Sequence, residues 1–120
     1  MSALRGIRGA ITVERNTESE ILRATGSLLR AIVSANKIKM NDVASVIFSV
    51  TKDLNAQFPA VAARKMGWRS TPLMCTEEID VPGAIKKCIR VLLHVNTAKQ
   101  QDKMKHVYMG AAGKLRPDLK

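Results

Sequence analysis

Two arginines in this sequence of 120 residues lie on segments that predict β-strands, each on the strand face opposite an apolar stripe. They are Arg8 and Arg90, and two further arginines, Arg64 and Arg116, lie elsewhere in the chain. A guanidinium group binds a carboxylate through paired hydrogen bonds, a geometry that lysine does not offer. A lone arginine on a strand is usually a solvated side chain. A set of them favours a receptor for a small dicarboxylate or a phosphate.

Signals for metal, nucleophilic or nucleotide chemistry are weak in this sequence. Glu77, Glu78 and Asp80 cluster within a short segment, but no histidine stands at a useful spacing for a shared metal site. His94 and His106 lie in no motif, and neither a Ser-His-Asp spacing nor a Gly-rich phosphate loop stands out. We therefore expect no metal and no cofactor.

The length of the chain suits one folded domain, which we place at residues 1–120. Hydrophobic residues make up 46% of it and charged residues 25%, ordinary values for a globular protein. The apolar runs are too short for a transmembrane helix, and Arg5 and Arg8 interrupt the segment where a signal peptide needs its apolar centre. Cys75 and Cys88 are too few for a disulfide framework or a structural zinc site. We expect a cytoplasmic protein with no membrane partner.

A formal net charge of +10 raises nucleic-acid binding as a hypothesis. The aromatic residues make up only 3% of the chain and offer no pair of the kind on which RNA bases stack. The basic residues are spread along the sequence without a dense run. The charge therefore favours a solvated basic surface, or a site for a small polyanion, over a nucleic-acid partner.

Alternation and helical periodicity predict the elements that must position these side chains. Leu4–Val13 alternates as a strand, with Arg8 on the face away from the most apolar stripe. A capping box predicts a helix over 17–35, which Asn36 ends. The nearly continuous apolar segment Val43–Val50 predicts a strand that is covered on both faces.

The second half of the chain predicts one more helix and three strands. Pro59 suits the first turn of a helix over Phe58–Met66. The predicted strands are Thr71–Met74, Cys88–Thr97 and His106–Met109. In the longest of these, Arg90 alternates with Ile89 and Val91 and so lies on the opposite face. The sum is a mixed α/β or α+β domain with about five strands and two main helices.

Six ordered blocks of residues run through essentially the whole chain. They are RGIRGAITVER over 5–15, Phe58-Pro59-Ala60 with Arg64 and Gly67-Trp68, Pro72-x-x-Cys75-x-x-Glu78-x-Asp80-Val81, KKCIRV over 86–91, His106-Val107-Tyr108, and LRPDL over 115–119. Each block alone is a modest signal, but the blocks in this order are very specific. The chain resembles the chorismate mutases of the small, trimeric, Bacillus-type class.

The resemblance implies an enzyme, its reaction and its assembly. Such enzymes convert chorismate to prephenate by a Claisen rearrangement on the route to phenylalanine and tyrosine, without a metal, a cofactor or a nucleophile. The implied assembly is a homotrimer, a pseudo-α/β barrel with active sites at the subunit clefts. Catalysis then depends on holding the substrate folded and on stabilising charge as the ether bond breaks.

The same resemblance implies a role for individual residues. Arg90 would contact the ether oxygen and a carboxylate, and Arg8 would bind a carboxylate. Glu78 would hydrogen-bond the ring hydroxyl with Cys75 nearby, and Tyr108 would add a polar contact. The remaining expected substrate-binding positions are Phe58, Ala60, Arg64, Met74, Leu115 and Arg116. Those in 58–64 would come from a neighbouring chain, and Arg116 would close the cleft from the tail.

Some positions depart from the resembled pattern. Val61 stands where the family often has a lysine, and Met74 where it often has a threonine, so that a hydroxyl is lost but the backbone groups remain. The segment between Arg64 and Gly67 is one residue short, and the tail is brief. These departures bear on substrate affinity more than on activity.

Two other functions remain open. A non-catalytic trimer of the same fold would bind a small carboxylate or a polyanion, and the net charge of +10 is its best support. A nucleic-acid-binding module is the third hypothesis. Arg8, Glu78 and Arg90 together favour the enzyme, because an anion binder has no need of the glutamate.

Overall fold

A five-stranded mixed sheet forms the centre of the computed structural model, which describes residues 2–115. Its strands, in chain order, are β1 (Ala3–Thr12), β2 (Val43–Val50), β3 (Leu73–Glu77), β4 (Cys88–Thr97) and β5 (Val107–Met109). In space the order is β3-β2-β4-β1-β5. Strand β4 is antiparallel to both of its neighbours, and the outer strands β3 and β5 run parallel to theirs. The predicted mixed α/β class is confirmed.

Two helices connect the first three strands. Helix α1 (Glu18–Asn36) lies between β1 and β2, and the short helix α2 (Ala60–Lys65) lies between β2 and β3. Three short 3₁₀ turns, at Met40–Asp42, Gln101–Lys103 and Gly110–Lys114, complete the regular structure of the described residues. Within residues 2–115, neither helix combines the length and the hydropathy that a membrane span requires.

Some element bounds differ from those predicted. Helix α2 is shorter than the predicted 58–66, because Pro59 precedes the helix as its N-cap. Strand β3 is displaced from the predicted 71–74, because its parallel pairing with β2 extends as far as Glu77 opposite Val50. Strand bounds of this kind are set by a partner that is distant in sequence.

One face of the sheet packs against α1 and forms the core. Ile7 and Leu93 from the strands and Leu28 and Ile32 from α1 are all fully buried. Gly9 lies where α1 crosses β1, and a Cβ atom at this position would come within 2.8 Å of the Cδ1 atom of Ile32. The glycine therefore permits the close approach of helix and strand.

The opposite face of the sheet is not covered within one chain over β3, β2 and part of β4, whereas Ala10 and Cys88 on the same face are buried with Ala112. Ile47 of β2 pairs with Met74 of β3 and with Leu92 of β4, so the three form an apolar row across the sheet. Met74 is 60% exposed and Leu92 is 36% exposed. The prediction that Val43–Val50 is covered on both faces is therefore wrong for the single chain, which supplies only one helical layer.

The start of α1 follows the predicted capping box in part. The Thr17 hydroxyl accepts a hydrogen bond from the backbone N–H of Glu20 at 3.2 Å. The Glu20 carboxylate accepts from the N–H groups of Glu14 and Arg15, at 3.1 and 3.2 Å, and not from that of Thr17. The glutamate thus ties the first turn of the helix to the segment that leaves β1.

Two neighbouring residues, Asn36 and Lys37, form the end of α1. Asn36 is the last helical residue, and its side chain bonds the backbone O and N–H of Lys105 at 2.9 and 2.8 Å. The left-handed residue that ends the helix is Lys37, with φ of 52°. The N–H of Ile38 then donates to Val33 O at 3.0 Å, which completes a Schellman-type end.

We expect Lys37→Gly to stabilise the protein by about 1 kcal/mol, because a residue with a Cβ pays a steric cost in the left-handed region that glycine avoids. The measurement is the urea midpoint at one fixed protein concentration. Lys39, with an extended φ of −94°, provides the control, since Lys39→Gly gains nothing from relieved strain. A lower midpoint for Lys37→Gly than for the unchanged protein would contradict this account of the helix end.

Candidate active site

A row of side chains crosses the sheet on the face opposite α1, one from each strand. The strand register aligns, in order from β3 to β5, Thr76, Ser49, Arg90, Ala10 and Tyr108. Arg90 comes from the middle strand, and the small Ala10 beside it is fully buried in a cluster with Cys88 and Ala112. The face that alternation predicted for Arg90 is the one that the structure shows.

Arg8 lies in the next row on the same face. It pairs with Leu92 of β4, two residues from Arg90, so the two arginines are diagonal neighbours. Both line an open cleft of about 190 Å³ together with Glu78, Ser49 and Leu92. Three of the residues predicted to form the site are therefore brought together within one chain.

Glu78 is held from three directions. It follows β3, and its backbone N–H donates to Val50 O at 2.8 Å. Its carboxylate Oε1 accepts from Nη1 of Arg90 at 2.9 Å, and Oε2 accepts from the hydroxyl of Ser49 at 2.5 Å. The side chains of Arg90 and Glu78 are 39% and 28% exposed, so their ion pair is partly withdrawn from water. The cleft thus holds a carboxylate that is fixed by one cationic group and one neutral hydroxyl.

His106 supports the backbone of Arg8. The N–H of Arg8 donates to Nδ1 of His106 at 2.9 Å, so this ring nitrogen is the unprotonated one. The bond joins β1 to the segment just before β5. His94 contacts the hydroxyl of Ser45, with Nδ1 and Oγ 3.0 Å apart. No spacing in the sequence signals either contact, because each joins two segments that are distant along the chain.

The acidic residues that follow one another around Glu78 do not converge. Glu78 turns to Arg90, whereas Asp80 forms an ion pair with Nζ of Lys52 at 2.7 Å. Glu77 is exposed. Each of these acids therefore has a different environment, although the sequence places them almost side by side.

Cys88 begins β4 two residues before Arg90, and its side chain is buried. Burial raises the pKa of the Cys88 thiol to about 11, although the charge of Arg90 acts in the opposite direction. The thiol is therefore protonated at neutral pH. It packs against Ala10 and Ala112 as a small apolar group.

Comparison with known proteins shows the family of the chain. Residues 4–119 match the family described as chorismate mutase type I. The chain belongs to this family. Over 117 residues it is 50% identical to the chorismate mutase AroH of Bacillus subtilis (strain 168), which covers 97% of this chain and 92% of that protein. The chorismate mutase AroH of Thermus thermophilus is 49% identical over 117 residues, or 97% of this chain and 96% of that one.

A solved structure agrees with these relatives. The chorismate mutase from Clostridium thermocellum superposes with a TM-score of 0.90 and is 54% identical, covering 91% of this chain and 97% of that one. The family resemblance drawn from the six sequence blocks is confirmed. The fold is confirmed at the level of one chain.

Tyr108 lies at the β5 end of the row, opposite Ala10 of β1. Its hydroxyl is buried and has no hydrogen-bond partner within residues 2–115. The ring packs with Ile85 and Leu115 against the buried Cys88. A substrate oxygen therefore reaches this hydroxyl only if the neighbouring side chains shift. The substrate contacts expected of Tyr108 and Leu115 stay predictions.

Four other predicted residues lie away from the cleft within one chain. Phe58 is 66% exposed, Arg64 is exposed, and Ala60 is buried at 4%. Cys75 packs against the core from the other face of β3 and lines a second cavity, of about 380 Å³, together with Phe58. Strand alternation thus directs the Cys75 side chain away from the carboxylate of Glu78.

Two more predicted residues complete the comparison. Met74 lies on the cleft face of β3, in the apolar row with Ile47. Arg116 lies outside the described residues. Ser49 contacts Glu78 but was not predicted from the sequence, and its only signal there is its position on the same face of β2 as Ile47.

Proposed function

We propose that this chain catalyses the Claisen rearrangement of chorismate to prephenate in the cleft formed by Arg8, Glu78 and Arg90. Membership of the chorismate mutase type I family supports the reaction. The observation that carries the location is the pairing of Arg90 with Glu78 at 2.9 Å, with Arg8 on the same face of the sheet. The phenylalanine and tyrosine route and a cytoplasmic location belong to the same proposal.

The proposed mechanism uses orientation and fixed charge. Arg8 binds one substrate carboxylate, and Glu78 accepts a hydrogen bond from the ring hydroxyl, so that the substrate is held in the folded, chair-like form. Arg90 binds where the ether bond breaks and negative charge grows on the oxygen. A guanidinium held in place by strand β4 and by Glu78 requires little reorganisation as that charge develops.

A homotrimer is the second part of the proposal. The apolar row of Met74, Ile47 and Leu92 is left without cover by its own chain. Phe58 and Arg64, both exposed, do not line their own cleft and are available to that of a neighbour. A second copy would therefore cover the sheet and complete the site at once.

We expect light scattering at micromolar concentration to give three times the chain mass of 13.2 kDa. The physical reason is the apolar row on the open sheet face, which costs free energy when it is exposed to water. A matched variant, Leu92→Glu, places a charge in that row and is expected to shift the mass toward the single chain. A monomeric mass for the unchanged protein would contradict the trimer.

The proposed reaction is tested by adding the purified protein to chorismate and following the loss of its absorbance. Prephenate should appear in equal amount and is identified by its NMR spectrum. Saturable binding of chorismate without conversion would contradict the proposed catalytic function and favour the non-catalytic carboxylate-binding trimer. Tight binding of polyanions with no response to chorismate would favour the basic surface as the functional feature.

A further inference from the structure

The carboxylate of Glu78 is held by two side chains of different character. Arg90 donates to Oε1 at 2.9 Å, and the hydroxyl of Ser49 donates to Oε2 at 2.5 Å. Ser49 is the cross-strand partner of Arg90, so both donors stand side by side on the same face of the sheet. The pairing of β2 with β4 thus sets the distance between the two groups that hold this carboxylate.

The two donors respond differently to an anionic ligand. In the proposed reaction Arg90 also donates to the substrate through its other N–H groups, so Glu78 shares this guanidinium with an anionic ligand. The hydroxyl of Ser49 is neutral, and a carboxylate of the substrate binds a guanidinium in preference to a neutral hydroxyl. Its bond to Oε2 therefore persists when the cleft is filled.

The backbone alone does not orient Glu78. Its N–H is fixed by Val50 O at 2.8 Å, but a glutamate side chain retains several rotatable bonds beyond the backbone. Nearby hydroxyls are engaged elsewhere, since Thr76 donates to Phe48 O at 3.2 Å and Thr51 donates to Oδ1 of Asp53 at 2.5 Å. Within residues 2–115, the hydroxyl that donates to Glu78 is that of Ser49.

We propose that Ser49 is a positioning residue, which keeps the carboxylate of Glu78 aimed at the ring hydroxyl of the substrate while Arg90 is engaged at the ether oxygen. The inference rests on the proposed chorismate mutase reaction. Strand β2 then contributes to catalysis through Ser49, in addition to its structural role in the sheet. Ser49 acts through Glu78 and does not itself touch the reacting atoms.

The first test is steady-state kinetics on Ser49→Ala and Ser49→Thr. We expect Ser49→Ala to lower kcat about tenfold, the order expected for one hydrogen bond to a charged group, with a smaller change in KM. Ser49→Thr keeps the hydroxyl and suits a strand, so it should recover most of the activity. Ser45→Ala is the matched control, because Ser45 lies on the same strand face but contacts His94 instead.

A double variant separates positioning from a general effect on the strand. If Ser49 acts through Glu78, then Ser49→Ala should cause no further loss in a Glu78→Ala protein. Losses that multiply in the double variant would overturn the inference, and so would equal losses in Ser49→Ala and Ser45→Ala.

The unchanged protein distinguishes the two levels of the argument. If it converts chorismate and Ser49→Ala stays within about twofold of it, which is the usual scatter of such comparisons, the inference on Ser49 fails alone. If the unchanged protein does not convert chorismate, the proposed function fails and the inference falls with it.

Discussion

Arg90→Lys is expected to lower kcat by about a hundredfold or more while the protein remains folded. The reaction develops negative charge on an ether oxygen that is nearly neutral in the ground state. A fixed cation at this oxygen interacts more strongly with the transition state than with the substrate, and only such a difference accelerates the step. The loss should therefore appear in kcat and not only in KM.

The geometry around Arg90 explains why lysine is a poor substitute. The planar guanidinium uses Nη1 for Glu78 at 2.9 Å and presents its other N–H groups in a rigid fork toward the cleft. A lysine ammonium has its donors on one atom, so it cannot reach both Glu78 and a separate oxygen with the same geometry. Arg90→Ala removes the charge as well, and its loss should be at least as large.

Steady-state kinetics with circular dichroism check this prediction. Arg5→Lys is the control, since Arg5 lies on β1, the neighbour of β4, and donates to Lys99 O at 3.0 Å, outside the cleft. It should leave kcat unchanged. If folded Arg90→Lys or Arg90→Ala turns over within about tenfold of the unchanged protein, a much smaller loss than such a donor predicts, Arg90 is not the electrostatic catalyst.

The strand faces of the two arginines and the cap of α1, both predicted from local pattern, agree with the structure. Strand alternation is a property of consecutive residues, and it placed Arg8 and Arg90 correctly on the face away from the core. The predicted cap at Thr17 is also local and is present, with its hydroxyl accepting from Glu20 N. These features need no knowledge of what the strand or the helix packs against.

The contacts that the sequence did not predict are non-local. Ser49 reaches Glu78 because β2 pairs with β4 and β3 in one register, and a shift of one residue would turn its side chain to the core. His106 reaches the backbone of Arg8 across a separation of 98 residues. Register between distant strands is decided by the whole sheet, and a single sequence carries little information about it.

For Cys75, the position expected from the family resemblance differs from the side-chain direction in the structure. The resemblance places Cys75 close to the substrate, whereas alternation within β3 sends its side chain to the core side. Met74, its neighbour, points to the cleft face.

Glu78→Ala is expected to lower kcat by about a hundredfold and to leave the fold intact. The carboxylate orients the ring hydroxyl of the substrate in the proposed site, and it also fixes one N–H group of Arg90. Removing it therefore disturbs both the hold on the substrate and the aim of the catalytic cation. Stability should change little, because a pair that is 39% and 28% exposed contributes at most about 1 kcal/mol.

The adjacent glutamate makes the test specific. Glu77 is exposed and precedes Glu78 directly, so Glu77→Ala removes the same charge from the same corner without touching Arg90. Glu78→Gln adds a further distinction, because its amide oxygen can accept from Arg90 while its NH₂ donates to the hydroxyl of Ser49. If orientation is the main task of Glu78, Glu78→Gln should retain more activity than Glu78→Ala. If Glu77→Ala and Glu78→Ala both show the kinetics of the unchanged protein, both residues belong to a solvated acidic corner. Glu78 then has no role in the mechanism.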